Sequence, residues 1–402
     1  MRPRRATIRL LIHATLIAGA VVFLFPFFWL VSTSLKPIEQ TMQLPAEWLP
    51  RVHYAEIDGE RVKVVEQNEN QLVAPEVVVR VEEGEKAGQK LRLQADDYRQ
   101  GQALVEERRA DEVRKLWRRA TLIKQAPAGW FFVTEKFDRQ ARNREARWDI
   151  LPADQIEERI QPQWFNYRVV LDPAFAAERD YVPFLFWRYL ANTLTICILG
   201  VIGTVVSCSV VAYGLARIPW RGRNVLFILT LATMMVPFPV TMVPLYALYR
   251  KIGMVLDWPW IGTFKPLWVP FWFGSAFNIF LLRQFFKTIP TELSDAARID
   301  GCSEWRIFWN VILPLSKPAI TVVALFHFMW AWNDFMGPLI YLTDKRDFTL
   351  SLALQFFQSQ QGGNEWHFLM AAATLMVLPV IVLFFFTQRT FIQGIATTGG
   401  KG

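Results

Sequence analysis

The sequence is short of the residues that usually carry chemistry. Cysteine occurs three times in 402 residues, at Cys197, Cys208 and Cys302. All three fall within, or on the expected cytoplasmic side of, long apolar runs, so no disulfide framework can support the charged stretch between residues 34 and 186. That stretch must draw its stability from a core. The four histidines, His13, His53, His327 and His367, show no metal-ligand spacing, so no metal site is expected. A phosphate-cradling loop is missing as well: "GEKAGQK" lacks the strand–GxxxxGK[ST]–helix arrangement, and the terminal "GGKG" has neither a Ser/Thr nor a following helix. Nothing in the chain reads as a catalytic residue set. The net charge of +8 is not laid out as a basic stripe interleaved with stacking aromatics, which excludes nucleic acid as the expected partner.

What is present is apolar. The chain is 52% hydrophobic with 17 Trp and 32 Phe, and it contains nearly uncharged runs of the length, about 20 residues, that crosses a bilayer core. Six candidate spans fall at roughly 10–33, 190–214, 225–248, 266–287, 318–342 and 367–388. Helices are expected for all six, because an open sheet leaves backbone groups unsatisfied in lipid. Basic flanks, "MRPRR", "ARIPWRGRN" and the pair Arg298 and Arg306, recur on one side and place both termini in the cytoplasm. The first span is long for a signal peptide, and Pro26-Phe27-Phe28-Trp29 stands where a small-residue cleavage site is needed, so it reads as a retained helix.

Between Arg51 and Gln161 the character changes. "VKVVEQ", "EVVVRVEEG" and "LRLQ" alternate apolar and polar residues as half-buried strands do, Asp58-Gly59 is a hairpin-type turn, and "GWFFVTE" reads as a further strand. "LVEERRADEVRKLWRRATLI" is compatible with a helix, and "DRQARNREAR" with a solvated loop or helix face. The fold class expected is an all-α polytopic membrane protein with a small β-rich insertion on the extracytoplasmic side.

The stretch "IPTELSDAARIDGCSEWRIFWNVILPL", residues 289–315, sits between two apolar runs yet carries Glu292, Asp295, Arg298, Asp300, Glu304 and Arg306. Each would cost about 2.5–3.5 kcal/mol at the bilayer centre, so six together rule out a spanning position by something on the order of 15 kcal/mol. The segment is therefore cytoplasmic. Thr291 is a candidate cap for a first short helix with Leu293, Ala296 and Ala297 on one face; Gly301 supplies the left-handed residue that ends it, and Ser303 caps the next. On that second helix Trp305, Phe308, Trp309 and Ile312 follow a helical period and predict one apolar face. An ordinary loop packed on its own bundle fits these features equally well.

Asp295-Ala296-Ala297, Gly301 and Ile312-Leu313-Pro314 resemble the "EAA" loop of permease subunits from binding-protein-dependent ABC importers, with Asp where the usual pattern has Glu. The resemblance extends over about 10–50 and 163–402, through "YLANTLTICILGVIGTVVSCSVVAYGLAR", "VTMVPLYALYRKIGM", "WNDFMGPLIYL" and the tail "TQRTFIQGIATTGGKG". These are similar to the carbohydrate-importer branch, particularly its maltose-type second permease. Because "SLKPIEQTMQLPAEWLP" and "FNYRVV" match the family on either side of its first outside loop, residues 51–162 look like an insertion between a first helix (1–50) and the permease core (163–402). The ends of such an insertion should lie close together.

The resemblance implies a type I importer permease in the bacterial plasma (inner) membrane. It implies a second permease subunit, a cytoplasmic ATPase pair that carries the ATP and Mg, and an outside binding protein that delivers a sugar or related cargo. The loop 289–316 would dock the ATPase: Glu292 and Asp295 meeting basic groups, Ala296 and Ala297 permitting close approach, Gly301 making the turn, Asp300 bracing that turn or pairing with the ATPase, Leu313 and Pro314 closing the motif at the membrane. In the fifth span Trp330, Trp332, Asn333 and Asp334 are candidates to line the path, with Asn278 and His327 behind them; an aromatic belt and an interfacial carboxylate fit the same residues. Two readings of another class remain open, a secondary transporter or channel, and a membrane-anchored scaffold for an outside partner. Two broken helices in matching halves would be the mark of a transporter, and none is expected from the six runs.

Overall fold

The computed structural model describes residues 2–41, 47–57, 60–66, 76–84, 86–94, 97–109, 112–125, 132–135, 146–148, 156–179, 181–358 and 365–399. The chain divides into two compact units, Met1–Asn166 and Tyr167–Gly402.

The first unit begins with α1 (Arg2–Ser34), whose apolar window Leu11–Ser34 is long enough to span a bilayer. Two antiparallel five-stranded sheets follow. One has the order β10-β1-β2-β8-β9, built from β1 (Arg51–Ile57), β2 (Glu60–Glu66), β8 (Phe132–Glu135), β9 (Ala146–Trp148) and β10 (Ile156–Ile160). The other has the order β4-β3-β7-β6-β5, from β3 (Glu76–Val81), β4 (Lys90–Gln94), β5 (Tyr98–Arg99), β6 (Gln102–Arg109) and β7 (Glu112–Gln125).

The stretch 104–123, for which the sequence also allowed a helix, is instead an antiparallel pair in which Leu104 faces Trp117 and Val105 faces Leu116. Alternation decides it: Ala103, Val105 and Ala120 are buried on the face they share with Val77, Val79 and Val81, whereas Lys115, Trp117 and Arg119 lie exposed on the other. A helix would have scattered these residues around its circumference. The turn Asp58-Gly59 and most of "DRQARNREAR" lie outside the described residues.

The two ends of the β region meet. Arg51 pairs with Ile160 in the β1–β10 ladder, and Gln161 donates its backbone N–H to the Pro50 carbonyl at 2.9 Å. Below that closure the Asn166 amide donates to the carbonyls of Ser34 and Lys36 at 2.9 and 3.0 Å, which ties the chain leaving the sheets to the end of α1. Lys36 is buried there with its ammonium 4.0 Å from the Trp29 ring; burial lowers its proton affinity, opposed by Glu47.

The second unit is helical. It is built on α2 (Phe186–Ala216), α3 (Arg223–Ala232), α4 (Phe238–Val255), α5 (Ala276–Thr288), α6 (Thr291–Ile299), α7 (Glu304–Ile307), α8 (Lys317–Asn333), α9 (Met336–Tyr341) and α10 (Trp366–Gly399). Among the described residues of the chain, three helices are long and apolar enough to cross a membrane, α1, α2 and α10, and up to five if each of two bent pairs counts as one span. The six continuous runs read from the sequence are thus not six continuous helices.

Pro237 bends the segments 223–235 and 238–255 by 100°, and a 79° bend at Ser316 separates 304–315 from α8. The expected run 266–287 is divided into a short turn at Lys265–Trp268, a 3-10 turn at Val269–Phe273 and α5, because Pro266 and Pro270 interrupt the ladder. At 1.5 Å per residue the 13 residues of α5 reach only about 20 Å, short of a bilayer core. Hydropathy sees composition and is blind to these breaks.

α2 is the central post. α8 and the 3-10 turn at Val269–Phe273 approach it at two glycines: a Cβ on Gly200 would lie 2.5 Å from His327 Nε2, and one on Gly203 would lie 2.3 Å from Trp272. The missing side chains of these glycines leave the space that the His327 imidazole and the Trp272 ring occupy against α2.

Candidate functional site

Residues 289–316 form a hairpin of two short arms. Pro290 precedes α6 with extended backbone, so Thr291 is the first helical residue and does not cap; no side chain caps this end. At the other end Gly301 has φ +78°, the Gly301 N–H reaches the Arg298 carbonyl at 3.0 Å, and the Cys302 N–H reaches Ala297 at 2.9 Å. This is the left-handed helix stop expected from the glycine. Ser303 then caps α7, its hydroxyl accepting from the Arg306 N–H at 3.4 Å.

The second arm differs from the predicted helix in one respect that changes its faces. After α7 it widens into a π-helical turn, Phe308–Ile312, before a last α turn, Leu313–Leu315, that contains Pro314. With the wider turn, positions five apart align, so Ile307 and Ile312 are both fully buried with Phe308 between them. They join Cys208, Ala212, Tyr213, Leu282 and Phe286 in one apolar cluster. Trp305 and Trp309, which a regular period put on the same face, are 61% and 56% exposed.

α6 behaves in the opposite way. Of its residues Ser294 is buried and Ala297 rests against the cluster, while Leu293 and Ile299 are 44% and 87% exposed and Glu292, Asp295, Ala296 and Asp300 lie open beside them. The arm is held by polar groups. Arg298 donates Nη1 to Asp295 Oδ1 at 2.7 Å and Nε to Glu304 Oε1 at 2.9 Å. The Tyr213 hydroxyl, on α2, donates to the other oxygen of Glu304 at 2.6 Å. The Tyr213 bond, together with Arg298, holds the Glu304 carboxyl below the usual carboxylate range, against the opposing effect of burial.

In the sequence Arg298 and Glu304 stand out only as charges too costly for the bilayer, and nothing marks Tyr213. The six-residue spacing of Arg298 and Glu304 across the Gly301 turn is the signal that could reveal their pairing.

The remaining candidates divide. Trp330 is exposed and packs with Phe271 at 5.0 Å and with His327 at 5.8 Å between ring centroids. Trp332 is 1% exposed and stacks on Phe328, and Asn278 is buried on α5, so both stand in the packed interior. Asn333 returns its amide to the Met329 carbonyl at 2.8 Å, and Asp334 accepts from the Gly337 N–H at 3.0 Å at the start of α9. Asp334 therefore serves as a helix-end acceptor. No cluster of three or more metal-ligating residues occurs among the described residues.

Residues 188–397 match the family described as binding-protein-dependent transport system inner membrane component. The arabinooligosaccharides transport system permease protein AraQ of Halalkalibacterium halodurans is 35% identical over 218 residues, 54% of this chain and 75% of that protein. The probable starch degradation products transport system permease protein AmyC of Thermoanaerobacterium thermosulfurigenes is 33% identical over 209 residues, 51% of this chain and 72% of that protein. The crystal structure of a bacterial ABC transporter involved in the import of the acidic polysaccharide alginate is similar at 24% identity with a TM-score of 0.49, over 57% of this chain and 80% of that one.

Proposed function

The chain belongs to the family of binding-protein-dependent transport system inner membrane components, and we propose that residues 289–316 are the element through which a separate ATPase drives it. It is a multi-pass membrane permease subunit of an ATP-binding-cassette importer. Its cargo is a sugar or related carbohydrate, the class for which its relatives are named.

The observation that carries the coupling role is the open face of α6. Leu293 and Ile299 stand exposed beside Glu292, Asp295 and Asp300, on a helix with almost no buried surface of its own. A protein cleft with apolar walls and basic groups is the complement of that face. ATP and Mg remain on the cytoplasmic ATPase pair, and this subunit supplies no catalytic residue. A second permease subunit completes the path in a heterodimer, and an extracytoplasmic binding protein delivers the cargo. The recurring basic flanks support cytoplasmic termini, with residues 51–162 outside the bacterial plasma (inner) membrane. Closure of the ATPase pair displaces α6, and the spans exchange inward for outward access, a two-state equilibrium biased from a distant site.

Purification of the assembled importer from membranes tests this. The ATPase should be retained, and Asp295→Lys should weaken its retention by charge reversal. A carrier that accumulates cargo with no ATPase attached, or undiminished retention and uptake in Asp295→Lys, would contradict the coupling role. A secondary transporter would give the first of these results.

A further inference from the structure

α6 is the moving part of the proposed mechanism, yet apolar packing barely anchors it. Two polar tethers connect it to the last turn of α2. At its start, Arg217, the residue after α2, donates Nη2 to the carbonyl of Pro290 at 3.2 Å. At its end, Asp295, Arg298, Glu304 and Tyr213 form a chain in which each consecutive pair is bonded at 2.6 to 2.9 Å. Glu304 divides its two oxygens, one to Arg298 of α6 and one to Tyr213 of α2. We propose that Tyr213, Arg217, Arg298 and Glu304 are positioning residues that make α6 and the cytoplasmic end of α2 move as one body, so that displacement of α6 reaches the spans.

The need for such a strut follows from the geometry. A helix tethered only by its two connecting turns would pivot on Gly301 and dissipate a push before it reached the bundle. Fixing both ends to one long helix removes that freedom, because displacement is carried by rigid elements in contact. The Tyr213 ring is placed independently of its hydroxyl: it is buried and lies 5.1 Å from the Phe308 ring in the apolar cluster. Tyr213→Phe therefore cuts the tether without emptying the core. A hydrogen bond to an ionised carboxylate is of the stronger kind, so its loss is large enough to read.

This inference rests on the coupling role proposed above, and the test separates the two. The complete importer, with both permeases, ATPase and binding protein, is reconstituted in vesicles, and cargo uptake and ATP hydrolysis are measured together. Tyr213→Phe and Glu304→Gln should each keep ATPase retention and hydrolysis while lowering cargo moved per ATP by about tenfold, the change that one charge-assisted hydrogen bond carries. The double variant should be no worse than the more affected single one, since both cut the same link. Arg217→Gln, which cuts the other tether and keeps the backbone bond from its own N–H to the Tyr213 carbonyl, should also lower the ratio. An unchanged ratio in all three, or equal proportional losses of hydrolysis and uptake, would overturn the strut while leaving the coupling role standing. Failure of the wild-type permease to retain the ATPase would overturn both.

Discussion

α6 and the arm that follows it are joined by four residues, 300–303, yet they are held by opposite means. The second arm hides Ile307, Phe308 and Ile312 in the helical core and shows its tryptophans outward. The first shows Leu293 and Ile299 outward and is tied down by Arg217, Arg298 and Glu304. The difference separates two tasks. A root sunk in the core resists removal, while a peg with a free surface can enter a partner and still transmit a push through directional bonds. Burial gives strength without direction; hydrogen bonds and ion pairs give direction at modest strength.

The largest effect expected from this contrast is on the root. Ile312→Ala removes most of a fully buried side chain and should cost about 2–5 kcal/mol, seen as a lower unfolding midpoint of the purified complex. Leu293→Ala, its counterpart on the peg, should leave the midpoint within about 0.5 kcal/mol and act instead on ATPase retention. Equal destabilisation by both would erase the distinction between the arms.

Next in size is the joint between them. Gly301 sits at φ +78° with open space around it, so the obstacle to a larger residue is backbone conformation and not crowding. Gly301→Val should cost on the order of 1–2 kcal/mol locally and more in function, because a β-branched residue at positive φ re-aims α6. Uptake should fail while the subunit still inserts and pairs with the second permease. Wild-type uptake in that variant would show that the joint need not be fixed.

A smaller loss is expected for Ser303→Ala, about 1 kcal/mol from the lost cap, read in the same unfolding assay. The pH dependence is smaller still. Glu304 is held with its carboxyl below the ordinary value of about 4.3, so its stabilisation is complete above that value and fades as pH falls through the depressed one. The difference in unfolding midpoint between the wild type and Glu304→Gln should thus be constant near neutrality and shrink in acid. A difference that grew as pH fell would mean that the carboxylate is not favourably paired.

Much of this hairpin could be read in advance. Six charges between Glu292 and Arg306 exclude the bilayer, glycine predicts the left-handed stop, and Ser303 predicts a cap, because each rule depends only on residues close in sequence. The π-turn could not be read. Its wider pitch lets Ile307 and Ile312 pack together against residues of α2 and α5, whereas a regular 3.6-residue count puts Trp305 and Trp309 on the buried face. The 104–123 stretch misled for a related reason: its many arginines and leucines suit a helix locally, but pairing with β3 and burial of Val105 and Ala120 favour extended chain.

By itself the sequence determined that the chain lives in a membrane, which segments are too charged to enter it, and that residues 51–162 interrupt an otherwise apolar protein. These follow from transfer free energies summed over neighbouring residues, and no fold is needed to add them. Only the tertiary structure decided where the apolar runs bend, which residues of 304–312 face inward, and that Tyr213 shares a carboxylate with Arg298 across 85 positions of sequence. Those choices depend on distances between residues far apart in the chain, which packing alone brings to a few ångströms.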